Sequence, residues 1–307
     1  MKALITGGAG FIGSHLAKKF LDNNIDVHIV DNLSTGKLEN ISFLKKDCFF
    51  YHDINDLEFM TQLLKKEQYD YILHLAAMVS VVETIEKPIQ SNQDNMVASV
   101  NLLDTIKNYI PNFKKFFFAS SAAIYGQLED LPKSINSKID PLSPYAIQKY
   151  SSERYAKIYF DLYNVPTVSM RFFNIYGPKQ NPNSDYSGVL SILNQKFIKK
   201  EPFTFFGDGE QTRDFVYIND LVDAVWLVIN SKETNGKVYN LGTGKQTSLN
   251  EIFNIFKDNF GYSIPHKYEK KRIGDIKHSY AEISPLKKLG FNPNFSIKDG
   301  IREYLRT

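Results

Sequence analysis

Three side chains in the first half of the sequence could together move a proton on and off an alcohol: Ser121, Tyr145 and Lys149. Tyr145 and Lys149 stand four residues apart, which on a helix puts phenol and ammonium on one face. A free tyrosine titrates at ~10 and is a poor base at neutral pH. A neighbouring cation favours the phenolate and is expected to bring that value down, giving a general base or acid for a hydroxyl. In a chain with 18 tyrosines such pairs also arise by chance, so the discriminating element is the serine. The segment Phe118-Ala119-Ser120-Ser121-Ala122-Ala123-Ile124-Tyr125-Gly126 follows a strand-like run and precedes Tyr145 by one loop. A serine at that strand end can donate a hydrogen bond to a substrate oxygen beside the tyrosine. Ser121 is the choice and Ser120 the neighbouring alternative.

A second constellation lies at the N-terminus, Thr6-Gly7-Gly8-Ala9-Gly10-Phe11-Ile12-Gly13, where a strand hands over to a helix. Gly7 permits the tight turn, Gly10 lets the backbone approach a pyrophosphate at the helix N-terminus, and Gly13 lets that helix pack closely on the sheet. Asp31 closes the next strand. A carboxylate there accepts hydrogen bonds from both ribose hydroxyls and repels a 2′-phosphate, which favours NAD over NADP.

The elements that must position these groups alternate as βαβ units. Strands are predicted over 2–6, 26–31, 48–52, 70–75, 113–119 and 166–172, and helices over 11–23, 56–67, 92–108 and 143–163. Ser143 suits an N-cap, with Pro144 at the first helical position. The fold class is α/β: a Rossmann-type doubly wound parallel sheet with a smaller mixed α/β substrate-binding domain. Pro, Asn and Gly cluster through 177–188 and mark a boundary. Residues 1–173 are therefore expected to form the NAD-binding domain, re-entered by about 212–240 through a helix over 219–231 and a strand at 237–241. Residues 174–307 mainly form the smaller domain.

The bulk composition agrees with a folded enzyme: 307 residues, 43% hydrophobic and 23% charged. A net charge of +3 argues against nucleic acid as the main partner. Cys48 is the only cysteine, which excludes an internal disulfide and fits a reducing compartment; it is expected to be a buried structural thiol. The N-terminus lacks a basic region with a long apolar run, and apolar runs such as 224–229 are too short to span a bilayer. The reading is a cytoplasmic protein with no membrane association and no metal site.

Further motifs follow in chain order: Arg171-Phe-Phe-Asn174, Gly207-Asp-Gly-Glu-Gln-Thr-Arg213-Asp-Phe-Val-Tyr, Asn240-Leu-Gly-Thr-Gly and Arg272-Ile-Gly-Asp275. With the glycine turn, the Ser-Ser-Ala-Ala-Ile-Tyr-Gly segment and Tyr145-x-x-x-Lys149, the set closely resembles extended short-chain dehydrogenases/reductases. Within them it resembles the UDP-hexose 4-epimerases, over essentially the whole chain. The resemblance implies NAD held by Gly7, Gly10, Phe11, Ile12, Gly13, Asp31, Asn32, Ser34 and Gly36. Asp53 and Ile54 would flank the adenine; Leu75, Ala76 and Ala77 would line the pyrophosphate and nicotinamide side. Asn95 would lie near the cofactor, Phe172 would meet the nicotinamide edge, and Tyr145 and Lys149 would serve both cofactor and catalysis. For the UDP-sugar the resemblance implies Ser80, Ser121, Tyr145, Asn174, Val189, Phe206, Arg213, Arg272, Asp275 and Ser279. Asn174, Arg213 and Arg272 would meet the diphosphate, for which arginine offers planar two-point hydrogen bonding, and Asp275 the uridine ribose. It also implies a homodimer through the helices near 92–108 and 143–163.

Departures from the family narrow the chemistry. Dehydratases of this type carry an acid just after the catalytic serine or threonine, where this chain has Ala122 and Ala123. Val79 and Ser80 stand where galactose-type epimerases often have a lysine. Ser279, with Tyr280 beside it as the alternative, stands where many have a bulky tyrosine; a small residue leaves room for an N-acetyl group. The implied activity is C4 inversion through a 4-keto sugar on UDP-GlcNAc/UDP-GalNAc and UDP-Glc/UDP-Gal. A UDP-glucuronate 4-epimerase or another nucleotide-sugar oxidoreductase is the alternative. A non-catalytic NAD sensor is disfavoured because serine, tyrosine and lysine are all present.

Overall fold

The computed structural model describes residues 1–181, 188–271 and 276–306. The chain divides into two compact units. The first comprises Met1–Ile124, Pro141–Arg171 and Val225–Tyr239, and the second Tyr125–Asp140, Phe172–Ala224 and Asn240–Thr307.

The first unit is built on β1 (Lys2–Thr6), β2 (Asp26–Asp31), β3 (Phe49–Tyr51), β4 (Tyr71–His74), β5 (Lys115–Ser121) and β6 (Thr167–Phe172). Lys237–Leu241 adds a seventh strand at the edge beside β6, and the order runs on from β6 through β5, β4, β1 and β2 to β3. Each pairing from β3 to β5 is parallel. This is the Rossmann order, in which the chain reverses direction across the sheet between β1 and β4, and ligands bind beyond the carboxyl ends of the strands. Strands covered on both faces read as continuous apolar runs, as Phe116, Phe117 and Phe118 do. Leu63, Leu64, Leu103 and Ile106 pack with Leu4, Ile72 and Phe116 in the core.

The helix Phe11–Asp22 starts at Gly10 and buries Leu16, Ala17 and Phe20. The long helix Pro144–Tyr163 starts as its sequence predicts: the Ser143 hydroxyl oxygen accepts from the Ala146 N–H, and Pro144 occupies the first turn. Asn164 ends it in the left-handed conformation.

Three expectations need correction. The helix expected over 92–108 instead starts at Pro88, passes through a π turn at Gln93–Val97, and continues as Ala98–Tyr109. The strand expected over 113–119 runs two residues later, so Ser120 and Ser121 are its last residues. Cys48 is half-buried at the end of the short turn Lys46–Cys48, next to the edge strand β3.

In the second unit Asn174–Tyr176 pairs in parallel with Phe215–Tyr217. Thr212–Arg213 lies between Thr247–Ser248 and His278–Ser279, with Arg213 and Ser279 as direct partners. Phe197 anchors the helical core against Phe253, Phe256 and Phe260, at ring separations of 5.3, 5.8 and 5.3 Å. Among the described residues no helix is long and apolar enough to cross a membrane, and no cluster of three or more acidic, His or Cys side chains could hold a metal.

Candidate active site

The predicted cofactor residues of the first unit gather beyond the carboxyl ends of its strands. Gly7 follows β1, Asp31 ends β2, Asp53 follows β3, Leu75 to Ala77 follow β4, and Ser121 ends β5; Phe172, the last residue of β6, is counted with the second unit. Gly7 has φ +69°, and a Cβ there would meet the Ala76 backbone nitrogen at 2.7 Å. Gly13 fits against the Gly7 carbonyl and the Gly8 Cα, so the space it leaves serves the turn itself more than the sheet. A Cβ at Gly8 would meet Ile29, a steric need that the spacing did not reveal. At Gly10 only the Gly7 carbonyl comes near, at 3.2 Å.

Asp31 accepts from the Ala9 N–H (2.9 Å) and the Leu33 N–H (2.8 Å), one to each oxygen. Burial raises its pKa, and these two N–H groups oppose the rise. Each oxygen keeps a lone pair for a ribose hydroxyl. Gly36 lies against this carboxylate: a Cβ there would meet Oδ1 at 2.9 Å. The Asn32 amide donates to Asp53 at 2.8 Å and accepts from the Ser34 N–H at 3.0 Å, which ties three more predicted positions together. Ile54 is buried in the core cluster. Phe11 and Ile12 open the first helix, half-buried. A glycine turn without side chains at a helix start, followed by a strand-end carboxylate, fits a dinucleotide.

At β5 the two serines separate. Ser120 Oγ donates to Glu153 Oε2 at 2.7 Å, whereas Ser121 is hydrogen-bonded to the Tyr145 phenol and accepts from the Ala123 N–H at 3.2 Å. Lys149 Nζ donates to the Ala119 carbonyl at 2.9 Å and lies 5.9 Å from the centre of the Tyr145 ring. Serine, phenol and ammonium thus converge at one strand end. The electrostatics differ from the sequence expectation, because burial raises the Tyr145 pKa and the Ser121 hydrogen bond only opposes that rise. Burial also depresses Lys149, to about 8. Desolvation of the phenolate outweighs a cation held on a backbone carbonyl.

A buried polar chain runs beneath these groups. Thr6 Oγ1 is 2.7 Å from His74 Nδ1, and His74 Nε2 is 2.9 Å from Ser99 Oγ, which donates to the Asn95 carbonyl at 3.0 Å. Since Ser99 gives its proton to Asn95, Nε2 is assigned the imidazole proton and Nδ1 accepts from Thr6. Burial, with a smaller contribution from the Lys149 charge, holds His74 down at about 3, so it stays neutral. The Asn95 carbonyl also accepts from Ser152 of the long helix at 2.8 Å. The available signal was a histidine inside an apolar strand, register-paired with Thr6.

The Asn95 side chain donates to the Met78 carbonyl and to Gln148, and accepts from the Met78 N–H. It therefore fixes the segment that carries Ala76 and Ala77. Ser80 caps the helix Val81–Glu86, its oxygen accepting from the Glu83 N–H at 3.0 Å.

The predicted sugar-nucleotide residues of the second unit are distributed over its small sheets. Asn174 opens its strand and is exposed; Val189 starts a helix; Phe206 ends a strand and is half-buried. Arg213 Nη1 donates to the Thr212 carbonyl at 2.9 Å. Arg272 and Asp275 lie outside the described residues. Asp214, which was not singled out from the sequence, is fully buried and accepts from the Thr243 N–H and hydroxyl and from the Gly244 and Ala281 N–H groups. It locks the Asn240-Leu-Gly-Thr-Gly loop to the strand carrying Arg213.

Comparison with known proteins agrees with this geometry. Residues 3–242 match the NAD dependent epimerase/dehydratase family. The chain is similar to the UDP-glucose 4-epimerase of Thermotoga maritima solved with UDP-glucose, at 35% identity and TM-score 0.94 over 100% of this chain and 98% of that one. It is similar to the UDP-N-acetylglucosamine 4-epimerase of Methanobrevibacter ruminantium solved with UDP-N-acetylmuramic acid, at 37% identity and TM-score 0.92 over 99% and 97%. It is also similar to the UDP-glucuronic acid 4-epimerase of Bacillus cereus solved with UDP-glucuronic acid and NAD, at 31% identity and TM-score 0.90 over 100% and 98%. The chain belongs to the NAD dependent epimerase/dehydratase family, and its cofactor is NAD.

Proposed function

We propose that this protein inverts C4 of UDP-hexoses, accepting UDP-GlcNAc/UDP-GalNAc and UDP-Glc/UDP-Gal. The observation that carries the reading is the convergence of Ser121, Tyr145 and Lys149 at the end of β5. Burial opposes the phenolate, and the positive charge of bound NAD together with the Lys149 ammonium would favour it; as phenolate, Tyr145 accepts the O4 proton while Ser121 donates a hydrogen bond to O4. Lys149 holds the cofactor ribose and opposes the protonated phenol electrostatically. Bound NAD supplies the hydride acceptor and donor, so it is regenerated within each turnover. The 4-keto sugar turns over about its diphosphate linkage, and Tyr145 returns the proton to O4. Ala122 and Ala123 offer no acid to expel water, which favours epimerisation over dehydration. Arg213 and Asn174, with Arg272, serve the diphosphate, and Asp275 the uridine ribose.

Ser279 supports the wider sugar pocket, being small and strand-paired with Arg213. NMR of the purified protein with UDP-GlcNAc, UDP-Glc and UDP-GlcA, without added NAD, is expected to show conversion of the first two. Ser279→Tyr is expected to lower kcat/KM for UDP-GlcNAc relative to UDP-Glc by about tenfold. Conversion of the glucuronate alone would overturn the sugar assignment in favour of the glucuronate reading, and no conversion at all would overturn epimerisation.

A second copy of the chain is the proposed partner. Ile147, Tyr155, Ile158 and Leu162 form an exposed stripe on the long helix, and Ile85 and Ile89 are exposed on the helices that precede the π turn. Light scattering should give twice the 35.2 kDa chain mass, and a monomer at working concentration refutes the pairing. The lone, half-buried Cys48 is in keeping with a reducing, cytoplasmic setting.

A further inference from the structure

Three consecutive residues at the end of β5 meet three residues of the long helix spaced four apart. The Ala119 carbonyl takes Lys149, Ser120 takes Glu153, and Ser121 takes Tyr145. The first and last of these contacts belong to the site already described, and the middle one does not. Glu153 is 2% exposed and its two oxygens are gripped by Arg171 of β6, through Nε at 3.0 Å and Nη2 at 2.7 Å.

We propose that Ser120 and Glu153 are positioning residues, whose hydrogen bond sets the register in which Ser121 meets Tyr145. The inference rests on reading Ser121 and Tyr145 as the proton-transfer pair.

A buried carboxylate is costly unless paired, and the two-point guanidinium contact both neutralises Glu153 and fixes its plane. Oε2 then becomes an acceptor held from two sides, by β6 and by the helix. Ser120 donates to that fixed oxygen, and one peptide link carries the constraint to the Ser121 Cα, ~3.8 Å away. Residues 145, 149 and 153 share one helix face, so the acceptor is rigidly tied to the phenol two turns earlier. Neither Ser120 nor Glu153 touches the phenol; both act through Ser121. The serine pair thus divides its work, the first hydroxyl holding the strand end and the second facing the tyrosine. Because the Ser121 hydrogen bond is what lowers the Tyr145 pKa against burial, a slipped register should be visible in the phenol titration.

The test is a ¹³Cζ-tyrosine NMR titration of the holoenzyme, with the Tyr145 signal identified as the one missing from Tyr145→Phe. Ser120→Ala removes the strand-end contact and leaves the Glu153–Arg171 pair in place. It is expected to raise the Tyr145 midpoint by about half a pH unit or more. Where the wild type turns over, kcat should fall about tenfold with KM for the UDP-sugar unchanged within about twofold. Ser120→Thr, which keeps the hydroxyl, should return both readouts towards wild type. A folded Ser120→Ala protein with an unmoved midpoint overturns the proposal even if its Tm has dropped, since a purely structural contact would lower only the Tm. A threonine variant indistinguishable from alanine overturns it as well. If the wild type converts no UDP-sugar, the proposed function fails, while the titration still decides the positioning.

Discussion

Tyr145→Phe is expected to lower kcat by about 10³-fold or more while UDP binding stays nearly intact. The change deletes one oxygen and keeps the ring, so the packing of this first turn of the long helix should survive. What disappears is the group bonded to Ser121, and with it the acceptor for the O4 proton. Ser121 cannot replace it, since a hydroxyl ordinarily titrates far above neutral pH and its oxygen already accepts from the Ala123 N–H. Lys149 cannot replace it either, as its ammonium is held on the Ala119 carbonyl. Single-turnover NMR together with calorimetry of UDP binding makes the measurement. Substantial residual turnover would remove Tyr145 from the chemistry, and a parallel loss of UDP affinity would show that the substitution disturbed the pocket.

Gly13→Ala is expected to weaken the binding of NAD. A Cβ there would overlap the Gly7 carbonyl oxygen and lie 2.7 Å from the Gly8 Cα, and both are backbone atoms with nowhere to go. Opening the turn costs about 2 kcal/mol of strain, or roughly thirtyfold in nucleotide retention. Gly10→Ala is the informative control, because its Cβ meets only the Gly7 carbonyl at 3.2 Å. Nucleotide released by heat and quantified by chromatography should fall well below one per chain for Gly13→Ala. Stoichiometric NAD in that variant would refute the steric argument. Loss in Gly10→Ala too would indicate that the pyrophosphate itself passes close to that position.

Features written in short stretches of sequence were legible. The glycine turn, Asp31 at the end of β2, and the Tyr145–Lys149 pair each depend on spacing within one element or one turn, and so does the Ser143 cap. Features that join distant residues were not. Thr6 and His74 are 68 residues apart, and Asp214 and Ala281 are 67 apart. Glu153 and Arg171 meet only because a helix face lies over the neighbouring strand. Cys48 was misplaced because local hydrophobicity does not say which strand ends at the sheet edge. The direction of the Tyr145 shift was misjudged for a related reason: a pattern names the cation but not the depth of burial. Nor does periodicity reveal a π turn, since the apolar residues around it still recur every three or four positions.

That turn has a geometric consequence. In a regular helix residues four apart drift by about 40° around the axis, so Ser91, Asn95 and Ser99 would fan out over about 80°. All three nevertheless find inward partners: Ser91 accepts from Gln148, Asn95 donates to Gln148, and Ser99 meets His74. The wider turn at Gln93–Val97 winds the chain back against this drift. It acts as an azimuthal correction that brings these polar side chains closer to one line than a regular helix would. Removing a single residue from it would let the segment close into a regular helix with Ser91 and Ser99 seven apart, about 20° from alignment, and would shift Asn95 against one of them.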